Sequence, residues 1–100
     1  MLTAEDIVYR VEAAHITAAV CTPQSDAADK VMKASKLNPL LKTVFVTHGA
    51  YEGAVDFTSE VKAASCRLER IDTSANEPML IYFTSGTTGY PKAVIHDHTY

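Results

Sequence analysis

The chain has 100 residues, enough for one small domain or a piece of a larger one. Nine Lys and Arg against twelve Asp and Glu leave a net charge of −3, so no basic surplus exists to neutralise a nucleic-acid backbone. Hydrophobic residues at 47% and charged residues at 21% describe a chain able to build a core, not a disordered one.

Thr3 is placed to cap a first helix, with Glu5 and Asp6 in its first turn and Ile7, Val8, Val11 and Ala14 at helical spacing. Small apolar residues over 17–21 predict a buried strand, ended by Thr22-Pro23. Ser25 is positioned to cap a second helix with an apolar face of Ala27, Ala28, Val31 and Met32, continued by Ser35. Asn38-Pro39 stops it. The β-branched run over 43–47 predicts a strand, and 48–53 a loop. Asp56 caps a third helix carrying Phe57, Val61 and Ala64. The stretch from Arg67 to Pro78 is polar and irregular.

Met79-Leu80-Ile81-Tyr82-Phe83 is an almost unbroken apolar run, the pattern of a strand covered on both faces. The alternation predicts an α/β fold, a mainly parallel sheet with crossover helices. Its parallel strands are expected at 17–21, 43–47 and 80–83, with Val94-Ile95 returning as a short antiparallel strand. Ligands of such sheets bind beyond the carboxyl ends of the strands.

The last parallel strand runs into Thr84-Ser85-Gly86-Thr87-Thr88-Gly89-Tyr90-Pro91-Lys92. Glycines let the backbone approach a ligand closely, hydroxyls and free N–H groups donate to anionic oxygens, and lysine adds a cation. That combination suits a polyphosphate cradle; on loop chemistry alone, a Ser/Thr/Gly-rich turn without a ligand is the competing reading. The P-loop pattern fails, because Pro91 and Ala93 stand where glycine and Ser/Thr are required. The dinucleotide fingerprint is absent, and Phe83 occupies the place of the first glycine of a nucleophile elbow at Ser85.

These nine positions, with Tyr82-Phe83 before them, resemble the signature phosphate loop of the adenylate-forming (AMP-binding) superfamily. Asp6-Ile7-Val8-Tyr9-Arg10, Leu41-Lys42-Thr43-Val44 and Glu77-Pro78-Met79-Leu80-Ile81 resemble further stretches of its acyl-CoA synthetase branch, in the acetyl- and medium-chain group. In that group a histidine often lies four residues after the motif lysine, as His96 does here; in others it lies six after, as His98 does. Ala93 departs from a common glycine, which bears on fine loop geometry.

The resemblance implies a partial AMP-binding (adenylation) domain over 1–100, ending just after the phosphate-binding loop 84–92. The parent would be an AMP-forming acid–thiol ligase that activates a carboxylic acid with ATP and passes the acyl group to coenzyme A. Thr84, Ser85, Gly86, Thr87, Thr88 and Gly89 would hold the β- and γ-phosphates. Lys92 would be the catalytic residue, neutralising charge on departing pyrophosphate. Mg2+ is implied for the parent, with its ligands outside this chain. The fragment alone is expected to be inactive and to self-associate. The alternatives are an adenylating enzyme loading a carrier-protein thiol and a non-catalytic α/β module that binds a nucleotide or a protein.

Other residues carry blander readings. His96-x-His98 is a poor metal site without a third ligand, so structural or pocket roles are favoured and no metal ligand is assigned. Cys21 and Cys66 form no CxxC and read as small apolar fillers in a reducing, cytoplasmic compartment. His15 and His48 read as surface or loop residues, Tyr90 as a cover for the loop, and Asp56 and Glu60 as helix-end charges. No apolar run of membrane-spanning length occurs, and Met1 to Asp6 lack the basic start and apolar run of a secretory signal.

Overall fold

The computed structural model describes residues 2–85 and 89–100. It divides into two compact units, Met1–Ser65 and Cys66–Tyr100.

In the first unit, α1 (Ala4–Ala14) begins at a reciprocal cap. The Thr3 hydroxyl accepts from the Asp6 N–H at 3.2 Å, and the Asp6 carboxylate accepts from the Thr3 N–H at 2.8 Å. The helix ends at His15, whose φ of 52° is left-handed and turns the chain toward the sheet.

Strand β1 (Ala18–Cys21) pairs in parallel with β2 (Thr43–Val46), and α2 (Ala27–Leu37) crosses between them. Thr17 lies one residue outside β1, its carbonyl accepting from the Lys42 and Thr43 N–H groups. The cap of α2 is Asp26 rather than the expected Ser25, which sits one residue earlier at a left-handed φ of 58°. Asp26 spends its carboxylate on an ion pair with Lys30 one turn on, at 3.1 Å, and makes no side-chain cap bond. At the far end, Asn38 is buried. It donates from Nδ2 to Glu12 at 3.2 Å and accepts from the Leu40 N–H at 3.0 Å. One amide thus ends α2 and ties it to α1.

A two-residue strand, β3 (Val55–Asp56), extends the parallel sheet beyond β2, giving the order β1-β2-β3. It is too short to show a period in sequence. Asp56 then caps α3 (Phe57–Ala63), accepting from the Ser59 N–H at 3.2 Å. Val11, Ala28, Leu41, Val44 and Val46 form the core, with Ile7, Ile16, Ala19, Cys21, Val31, Met32, Tyr51 and Ala54 packed around it. Val20 lies opposite Phe45 on the other face of the sheet and is 58% exposed, while Phe45 meets Phe57 edge-on at 6.1 Å.

In the second unit, residues 66–77 have no regular structure. Strand β4 (Pro78–Thr84) pairs with β5 (Lys92–Asp97) in an antiparallel two-stranded sheet. This corrects the expectation of a parallel strand over 80–83, covered on both faces. The chain turns back immediately after Thr84, so its nearest partner is the returning segment, and Met79, Ile81 and Tyr82 remain exposed. The returning strand around Val94-Ile95 is antiparallel as expected, and longer. Among the described residues no helix is long and apolar enough to cross a membrane.

Candidate functional site

The hydroxyl- and glycine-rich segment is the connection of the β4–β5 hairpin. Thr84, the last residue of β4, lies directly opposite Lys92, the first of β5. The Thr84 hydroxyl donates to the Lys92 carbonyl at 3.4 Å, closing the mouth of the loop. Paired residues of an antiparallel ladder share a face. The Thr84 hydroxyl and the Lys92 ammonium are therefore presented on the same side, both exposed.

Ser85 follows, also exposed. Gly86, Thr87 and Thr88 lie outside the described residues. Gly89 has φ +94°, a left-handed conformation that disfavours any side chain, and open space surrounds the position of a Cβ. Tyr90 is 70% exposed, and Pro91 is half-buried as it leads into β5. Of the sequence-derived candidates, Thr84 and Lys92 are thus paired across the ladder, while Ser85 and Gly89 stand on either side of residues 86–88 in the chain. A donor-rich loop with a cation at its base fits a polyphosphate.

Along the same hairpin face, His96 stacks against two rings. Its imidazole meets Tyr82 nearly edge-on, with centroids 5.7 Å apart, and lies tilted against Tyr100 at 4.2 Å. The sequence reading weighed His96 as one of a histidine pair and missed Tyr100, which lies beyond β5. The alternation Tyr82, Thr84 against Lys92, Val94, His96 is the signal that places these side chains together. His98 points to no ligand set; its N–H donates to the Ala75 carbonyl at 3.0 Å, and no group of three metal-ligating side chains occurs among the described residues. Asp97 accepts from the Thr99 hydroxyl and N–H, and those bonds hold its carboxyl below the usual carboxylate range.

In the first unit, Thr47 and His48 at the carboxyl end of β2 line an apolar groove of about 260 Å³ with Phe57, Thr58, Val61 and Lys62. Sequence reading did not find it. Cys21 packs at the core edge, where burial pushes its thiol up, as suits an apolar filler. Cys66 is exposed, contrary to that reading.

Comparison with known proteins places these features in a family. The sequence is 39% identical over 97 residues to the mitochondrial acyl-coenzyme A synthetase ACSM1 of Mus musculus, covering 96% of this chain. It is 37% identical over 102 residues to the mitochondrial ACSM3 of Homo sapiens, covering 98%. The chain spans about 17% of the length of these relatives. The fold matches a crystal structure of the anthranilate CoA ligase AuaEII in complex with anthranoyl-AMP. The TM-score is 0.85 at 20% identity, over 98% of this chain and 19% of that one. It also matches a red-emitting luciferase from Phrixothrix hirtus, with a TM-score of 0.73 at 22% identity, over 98% of this chain and 20% of that one. The family model described as AMP-binding enzyme matches residues 1–100, and with the relatives' identities it shows that the chain belongs to the AMP-binding enzyme family.

Proposed function

We propose that this chain is the part of an AMP-forming acyl-CoA synthetase that grips the polyphosphate of ATP. The observation that carries the reading is the Thr84–Lys92 cross-strand pair, which puts a hydroxyl-bearing and an ammonium-bearing side chain on one face at the base of a loop rich in donors. Such a loop serves a displacement at phosphorus by positioning and by neutralising charge.

A carboxylate oxygen attacks the α-phosphorus of ATP, and the bond from that phosphorus to the bridging oxygen breaks. Pyrophosphate leaves with the electron pair, and an acyl-adenylate remains. The sulfur of coenzyme A then attacks the acyl carbonyl, its proton is lost, and AMP departs. Thr84, Ser85, Thr87 and Thr88, with the backbones of Gly86 and Gly89, hold the β- and γ-phosphates. Lys92 stands against the growing charge on pyrophosphate. Mg2+ accompanies the ATP and is held by residues outside this chain. Coenzyme A is favoured over a carrier-protein thiol because the curated relatives named above are acyl-coenzyme A synthetases.

On this reading residues 1–100 form part of an adenylation domain and have no activity alone. The free thiols Cys21 and Cys66 favour a reducing compartment, the cytoplasm; fractionation of the full-length protein tests that against the mitochondrial location in the relatives' names.

The functional test is ATP–pyrophosphate exchange by the full-length protein. Exchange that depends on an added carboxylic acid, followed by thioester formation with coenzyme A, is the expected result. Exchange indifferent to carboxylate, or none with any acid of a short- to long-chain panel, overturns the reading.

A further inference from the structure

Among the described residues β4 and β5 form a two-stranded ladder, and a two-stranded ladder taken by itself is weakly held. Its register shifts by one residue at a single point, in the manner of a β-bulge. Pairing is regular from Thr84↔Lys92 through Leu80↔His96, then passes to Pro78↔Asp97. Two steps on β4 meet one step on β5, and Met79 is the extra residue. A one-residue slip of this kind turns one strand's side chains to the opposite face. Carried to the loop, it would part Lys92 from Thr84.

His96 occupies the last regular pair before the slip. Its ring reaches diagonally to Tyr82, one pair nearer the loop, and back to Tyr100 beyond the strand end. We infer that His96 is a positioning residue: stacked between Tyr82 and Tyr100, it confines the register slip to the far end of the hairpin and keeps Lys92 opposite Thr84. This rests on the phosphate-loop reading only for its kinetic consequence. The register lock itself is a statement about the hairpin.

The mechanism has a distinctive kinetic form. If ATP binds only the register in which Thr84 faces Lys92, a population in the slipped register lowers apparent affinity by the competent fraction. Saturating ATP then draws the population back. In the full-length protein, His96→Leu should therefore raise KM for ATP about three- to ten-fold while kcat at saturating ATP stays within about twofold. His96→Phe, which keeps a ring, should restore KM; His96→Gln, which keeps polarity without a ring, should not. Independently of activity, amide hydrogen exchange over residues 92–96 should quicken in His96→Leu and recover in His96→Phe.

A fall in kcat with KM unchanged, or rescue by Gln and not by Phe, overturns the lock in favour of a chemical or general folding role. Unchanged exchange over 92–96 overturns it outright. Should His96→Leu fail to fold, Tyr100→Leu removes one ring contact at an exposed position and should show the same split, smaller. If the wild-type protein shows no carboxylate-dependent activity, the proposed function fails while the exchange measurement still decides the lock.

Discussion

Lys92 and Gly89 act on the loop in different ways. On the proposed function, Lys92 contributes charge that matters most as pyrophosphate departs. Lys92→Ala should slow carboxylate-dependent ATP–pyrophosphate exchange by about ten- to a thousand-fold, a loss of roughly 1.4 to 4 kcal/mol. Thioester formation from a pre-made acyl-adenylate should change far less, and Lys92→Arg should recover part of the loss. Equal damage to both half-reactions would show that the lysine serves the fold. Gly89 contributes backbone freedom. With φ at +94° and open space around it, Gly89→Ala meets no clash and costs only strain, about 1 kcal/mol. Binding of ATP should weaken about fivefold by titration, and less for Gly89→Asn, which tolerates a left-handed backbone better. The residue types of this loop were legible in sequence because glycines, hydroxyls and a lysine concentrate in nine positions. The contact of His96 with Tyr100 was not, because Tyr100 lies in the turn beyond β5 and follows no strand period.

At the scale of elements, the cap of α1 is pH-sensitive. Bonds from Thr3 hold the Asp6 carboxyl below the ordinary aspartate value of 3.8. A folded-state pKa below the unfolded one means the contribution is complete above 3.8 and declines as pH falls toward the lower, folded value. Helicity followed by circular dichroism should therefore drop through that acidic window, and Asp6→Asn should remove this part of the dependence. In the core, Val46 is fully buried, so Val46→Ala should destabilise the first unit by about 2 kcal/mol in urea melts. The capping residues Thr3 and Asp56 were read correctly, each preceding an apolar helical face. Ser25 was not: either Ser25 or Asp26 can start a helix chemically, and the left-handed turn at Ser25 made Asp26 the cap. Strand β3 was missed because two residues carry no alternation; only pairing with Phe45 and Val46 makes Val55–Asp56 a strand.

Across the whole molecule, the exposed apolar residues set the behaviour of the chain on its own. Val20, Leu68, Ile71 and Ile95 are each more than half exposed, and β4 shows Met79, Ile81 and Tyr82. Produced alone, the 100-residue chain should self-associate in sedimentation and bind a hydrophobic dye. A monomeric, dye-silent species would contradict this. What the sequence by itself determined was local: two of the three helix caps, β-branched strands, and a loop whose composition carries its family. Spacing along the chain records these because each depends on neighbours within a few residues. Only the tertiary structure decided which strand pairs with which. An apolar run states that a strand is hydrophobic, not whether its partner is parallel or antiparallel. The stretch 80–83 pairs with β5 because the loop returns the chain at once, and closing a short loop costs less entropy than reaching a distant strand. That same return, fixed by the Thr84–Lys92 pair and the His96 stack, set the hydroxyl and the ammonium on one face.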